Sequence, residues 1–201
     1  MVSIFINENE IKDIINDLCA HDSIQLTDIP NIYLYMDQVT TFFDENLSHL
    51  KRNPEDKILT KTMINNYTNA NILFPSEKKK YNRQHITILV LIYYLKQIMS
   101  INDIHKLLSP ITEKVNLKKE KLLNIDKLYN IFLELEKAEL NDFKEHYSER
   151  INRINIHLKD ISTEDEETMG LIILILMLVI QANIQKTIAE KLIDQYFNNK
   201  K

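Results

Sequence analysis

The sequence holds a single glycine, Gly170, in 201 residues, where average composition would supply about 7%. Phosphate-cradling loops and dinucleotide fingerprints need several glycines for close backbone approach, so both are excluded. An all-β domain, with its many tight turns, is disfavoured for the same reason. Cys19 is the only cysteine, which rules out a disulfide framework and a structural zinc site built on several thiolates. Four prolines leave long stretches without helix breakers. At this length roughly 70% of the unfolded chain's surface is buried on folding, so no metal or disulfide is needed for stability. The fold class expected is all-α.

Long apolar runs are also scarce. The longest, Met169–Ile180, has twelve residues, against about 20 for a bilayer span. It is apolar nearly all round from Leu171 to Ile180 and so reads as a buried core or interface helix. Met1–Glu10 lacks the basic region and apolar stretch of a secretory signal. A soluble cytoplasmic protein with no membrane contact is expected, and the unpaired Cys19 fits a reducing compartment.

The charge is unevenly spread. The net value is −4. Residues 1–50 hold one basic and nine acidic side chains, net −8; residues 51–118 hold twelve and five, net +7; residues 119–201 hold twelve and fifteen, net −3. An averaged charge hides a basic middle.

Catalytic patterns are missing. The histidines at 21, 49, 85, 105, 146 and 157 show no metal-ligand spacing on one helix face, and neither HExxH nor GxSxG occurs. No enzyme activity, cofactor or metal is expected.

Apolar periodicity organises the rest. A helix is predicted over Glu8–Cys19 with Asn7 as N-cap, and another from Pro30 to about Leu50. Leu59–Asn69 reads as a short helix with Thr60 as N-cap, and Asn71–Pro75 ends it. Tyr81–Met99 has a strong helical period. Ser100, with Asp103 three residues on, caps Ile101–Leu108, and Ser109-Pro110 stops it. Ile125–Leu158 carries a long 3–4 stripe that serves either a core or a dimer seam. Ser162–Glu167 is a helix-start signal for a last helix over about Thr163–Phe197. Three regions follow: an extension over 1–29, a central domain over 30–115 and a C-terminal α-helical domain over 116–201.

The informative stretch is Leu59–Leu108. The capped helix presents Thr60, Lys61, Thr62, Asn65 and Asn66 on its polar side, with Met63, Ile64 and Tyr67 inside. Backbone amides at a helix N-terminus attract anions, and asparagine pairs with adenine through two hydrogen bonds. Lys78, Lys79, Lys80 and Arg83 then place four cations in six residues beside Tyr81, a compact feature that would neutralise phosphates and release counterions.

In order and spacing, Leu59–Tyr67, Asn71–Pro75, Lys80-Tyr81-Asn82-Arg83 and Ser100–Ile104 resemble the winged helix-turn-helix of MerR-type transcription regulators. That pattern comprises a hydroxyl-capped helix ending in tyrosine, a Gly-Leu-Leu-x-Pro turn, a wing with a Tyr-Arg pair and a second helical pair. Met36–Leu47 would be the first helix of the motif. The likeness covers about Leu34 to Leu108. The chain is also similar to an uncharacterised bacterial family carrying this MerR-like segment. Departures are Asn65 where an arginine is usual, Asn71 where glycine is usual, and Asn82 intervening before Arg83. The resemblance implies a regulator that binds double-stranded DNA through Thr60, Lys61, Thr62, Asn65, Asn66, Tyr67, Lys78, Lys79, Lys80, Tyr81 and Arg83. It also implies a homodimer joined through the C-terminal helices; no sequence feature marks a small-molecule effector. The alternative reading is a protein-interaction adaptor on a winged-helix scaffold that no longer binds DNA.

Overall fold

The computed structural model describes residues 8–20, 23–116, 124–158 and 166–198. The protein is mostly helical: α1 (Glu8–Cys19), β1 (Leu34–Tyr35), α2 (Met36–Leu47), α3 (Lys61–Asn69), β2 (Lys80–Tyr81), α4 (Arg83–Leu95), α5 (Ile101–Asn116), α6 (Ile125–Leu158) and α7 (Glu166–Tyr196). The expected caps at Asn7 and at Ser162–Asp165 lie outside the described residues.

The chain forms two compact units. The larger comprises Ser23–Leu133 and Ile188–Lys201; the smaller comprises Met1–Asp22 and Glu134–Thr187. The long helices α6 and α7 therefore each contribute to both, which differs from three regions in chain order.

In the larger unit the core is built around α4, whose Ile86 to Tyr93 are all buried. Val39, Phe43 and Leu47 of α2, Ile64 of α3, Ile104 of α5 and Tyr129 of α6 pack into the same cluster. The Tyr129 hydroxyl donates to the Ile24 carbonyl at 2.6 Å, which ties the segment before β1 into this core. Lys96 Nζ donates to the Ile58 carbonyl at 2.7 Å and anchors the linker before α3.

Several expected boundaries differ: α2 ends at Leu47 rather than about Leu50 and α4 at Leu95 rather than Met99. Pro30 does not open a helix: Leu34 and Tyr35 pair with Tyr81 and Lys80 as an antiparallel two-stranded ladder. Helix α2 starts only after Tyr35, whose amide donates to Gln38 Oε1 at 2.8 Å. For the same reason Tyr81 belongs to the ladder and α4 begins at Arg83. Pro110 does not stop α5, which runs on to Asn116. A proline at 110 cannot donate to the carbonyl of residue 106, but the Ser109 hydroxyl donates to that Lys106 carbonyl at 3.0 Å. The expected cap of α5 is present, with the Asp103 amide donating to Ser100 Oγ at 3.1 Å.

The smaller unit packs Ile15 of α1 with Tyr147, Ile151, Ile154 and Leu158 of α6 and Leu174 of α7. Along the apolar stripe of α6, Ile125, Tyr147, Ile151, Ile154 and Leu158 are buried. The expectation for α7 is overturned. Leu171, Ile172 and Ile175 to Ile180 are 37–58% exposed, and Leu174 alone of the run from Leu171 is fully buried. A helix apolar all round needs cover on all sides; within its unit α7 receives it on one side only. By length and composition Thr168–Tyr196 is also sufficient to cross a bilayer, because the apolar stretch continues in helix beyond the uncharged run.

Candidate nucleic-acid interface

Helix α3 is short and closed at both ends. At its start Thr60 Oγ1 accepts from the Met63 amide at 3.1 Å. At its end Asn71 has φ 56°, in the left-handed region. The Ile72 amide donates back to the Tyr67 carbonyl at 2.9 Å and the Asn71 amide to the Thr68 carbonyl at 3.0 Å, the two bonds of a Schellman stop. Asparagine replaces glycine there because its short polar side chain tolerates this conformation. Between the caps, Ile64 and Tyr67 face the core while Lys61, Thr62, Asn65 and Asn66 face solvent. These four positions lie on one face by helical spacing.

After the stop, Ile72, Leu73 and Phe74 are buried, and the chain returns through a two-residue hairpin turn. Glu77 and Lys80 exchange both backbone hydrogen bonds, at 2.9 and 3.1 Å. The central residues Lys78 and Lys79 have φ of 51° and 63°. This is the primed turn that suits the twist of a hairpin and normally takes Asn-Gly or Gly-Gly. Lysine in that conformation costs on the order of 1 kcal/mol per residue. Both lysines are exposed, and neither has an ion-pair partner among the described residues.

Lys80 stands opposite Tyr35 in the ladder, with its ammonium 5.2 Å from the ring centroid. Two residues beyond Tyr35, Asp37 pairs with Lys61 at the start of α3. The pairings Lys80–Tyr35 and Asp37–Lys61 bring the base of the hairpin and the start of α3 to the same end of α2.

Tyr67 and Tyr81 are corrections to the expected set. They are only 4% and 5% exposed and belong to the core. The helical and strand spacing that places their neighbours outward turns these two rings inward. Arg83 is half-buried, its Nε unpaired among the described residues. It borders a small cleft of about 260 Å³ formed by Asn31, Ile32, Tyr33, Asn82 and Gln84 at the first turn of α4. Thr60 is occupied as a cap. The outward set is thus Lys61, Thr62, Asn65, Asn66, Lys78 and Lys79; Lys80 is half-buried against Tyr35, and Arg83 is the first residue of α4.

His85 links the hairpin to α4. His85 is buried, and its Nδ1 accepts from the Asn82 amide at 3.1 Å while Asn82 Oδ1 accepts from the His85 amide at 3.2 Å. Its Nε2–H donates to the Pro75 carbonyl at 3.2 Å, and Phe74 and Tyr81 pack on the ring. His85 thereby ties both ends of the hairpin to α4. Burial lowers its pKa to about 4, against weaker opposing effects of the Pro75 and Phe74 backbone and Glu77. The signal was present as Asn82-x-x-His85, a capping box with histidine at the third position. Among the described residues no group of three His, Cys, Asp or Glu side chains is arranged to hold a metal.

These elements define a mostly helical domain that displays a lysine-tipped hairpin beside a short polar helix. The family model described as a domain of unknown function, DUF1836, matches residues 24–132, and the chain belongs to that family. The matched span nearly coincides with the Ser23–Leu133 part of the larger unit. No curated protein and no solved structure matches the chain.

Proposed function

We propose that the larger unit is a MerR-like winged helix-turn-helix that binds double-stranded DNA, in a protein acting as a cytoplasmic transcription regulator rather than an enzyme. In this reading α2 and α3 form the helix pair and Glu77–Lys80 is the tip of the wing. The observation that carries it is the turn itself: two exposed lysines held at positive φ where asparagine and glycine would be less strained. Strain retained at an exposed site points to what the side chains do there. Lys61, Thr62, Asn65 and Asn66 would enter the groove, and Lys78, Lys79, Lys80 and Arg83 would meet phosphates.

Titration of a fluorescent random-sequence duplex with the full chain, at several salt concentrations, tests this. Replacing Lys78, Lys79 and Arg83 by alanine should lower the salt slope by about 3, at roughly 0.9 for each phosphate no longer neutralised. An unchanged slope removes the wing from the mechanism.

The homodimer belongs to the same proposal. Ile172, Ile175, Leu176 and Val179 are exposed and follow the i, i+3, i+4, i+7 spacing of a helix–helix seam. A bilayer is disfavoured as the cover, because Arg150 of α6 donates to Gln181 and Arg153 lies alongside Met177 and Leu178. Carrying both guanidinium groups into hydrocarbon costs several kcal/mol.

The adaptor reading has one observation in its favour. Lys61 is already paired with Asp37, and Asp44 and Glu45 are also exposed on α2. Absence of duplex binding at low salt would favour it.

A further inference from the structure

Between α6 and α7 of the smaller unit lies an open cleft of about 510 Å³, within the usual range of roughly 300–1,000 Å³ for small-molecule sites. Its wall is apolar: Ile154, Ile173, Leu174, Met177 and Leu178. Its edge carries two guanidinium cations, Arg150 and Arg153, with the His157 imidazole on the next turn of α6, and no carboxylate lines it among the described residues. Arg150 is held in place. It donates to Gln181 Oε1, and its guanidinium carbon lies 5.3 Å from the Phe143 ring centroid. Arg153 is exposed and has no ion pair among the described residues.

We infer that this cleft binds an anionic amphiphile of the long-chain carboxylate class. The acyl chain lies against Ile154, Ile173, Leu174, Met177 and Leu178, and the carboxylate meets Arg153 with Arg150 beside it. Guanidinium groups bind carboxylates through two parallel charge-assisted hydrogen bonds. Charge complementarity selects this occupant over a second copy of the chain, because the exposed run Leu171–Ile180 offers no acidic group to the arginines. The two sites are separate on α7. At about 100° per residue, the cleft positions 173, 174, 177, 178 and 181 lie opposite the seam positions 172, 175, 176 and 179. The inference is independent of DNA binding.

Calorimetric titration of the full chain with dodecanoate below its micellar concentration tests it, beside dodecanol and dodecyltrimethylammonium. Dodecanoate should bind saturably at one per chain, dodecanol at least tenfold more weakly and the cation not at all. Arg153→Gln, at an exposed position, should weaken dodecanoate at least tenfold and leave the thermal unfolding midpoint in place. Leu178→Trp should block the cleft. Equal binding of dodecanoate and dodecanol overturns the proposal, as does an indifferent Arg153→Gln. Absence of saturable dodecanoate binding, whatever the oligomeric state, also overturns it.

Discussion

Lys80 and Tyr35 are directly opposed across the two-stranded ladder, the ammonium 5.2 Å from the ring centroid. This pair holds one lysine of the basic run against the protein while the two before it project from the turn. Replacing those two by the residues such turns prefer, Lys78→Asn with Lys79→Gly, separates strain from charge. Urea unfolding should show a gain of about 2 kcal/mol, about 1 kcal/mol at each position, from relief of the left-handed conformation. Duplex affinity should fall in the same variant. A gain in both would detach the strained lysines from DNA binding.

Asp37 neutralises Lys61, and both side chains are well exposed. Asp37→Asn should therefore raise duplex affinity and steepen its salt dependence by the equivalent of about one phosphate. Stability should change by less than about 1 kcal/mol, because exposed pairs and first-turn acids contribute little. Fluorescence anisotropy against salt reads the first effect and chemical denaturation the second. Unaltered affinity would place Lys61 outside the interface.

His85 makes the hairpin junction sensitive to acid. Its folded pKa of about 4 lies below the ordinary 6.5, so the unfolded chain binds the proton more readily. Its contribution is complete above about pH 6.5 and is lost as pH falls from there to about 4, a change of about 3 kcal/mol. Urea midpoints measured across that range, with an NMR titration of the imidazole, check the sign. A His85 resonance titrating near 6.5 would contradict it.

Ser109 and Pro110 act as a pair. Ser109→Ala should cost about 1 kcal/mol by leaving the Lys106 carbonyl without its hydroxyl donor. With Pro110→Ala the backbone amide returns, and the same serine substitution should cost almost nothing. A double-mutant cycle by thermal unfolding measures the coupling, and additive effects would show that the hydroxyl does not compensate for the proline.

Ile175 and Val179 share the outer face of α7. If the proposed homodimer forms through this face, Val179→Glu should shift it to monomer in sedimentation experiments and leave its helix content intact. An unmoved mass would exclude this seam.

The amino-acid sequence alone determined the local features. Thr60, Asn71 and Ser100 act as caps and stops through side chains and dihedral preferences that reach no further than a few residues. Helices α1 and α6 have the bounds their periodicity predicts. Tertiary structure decided whatever depended on distant partners. Leu34 and Tyr81 leave their helical patterns because each completes a strand pair with a segment more than forty residues away. Pro110 sits inside a helix because a neighbouring hydroxyl replaces the lost donor. Met169–Ile180 is mostly exposed because hydrophobic composition demands cover but does not say which molecule supplies it; within its unit the packing reaches only one side of the helix.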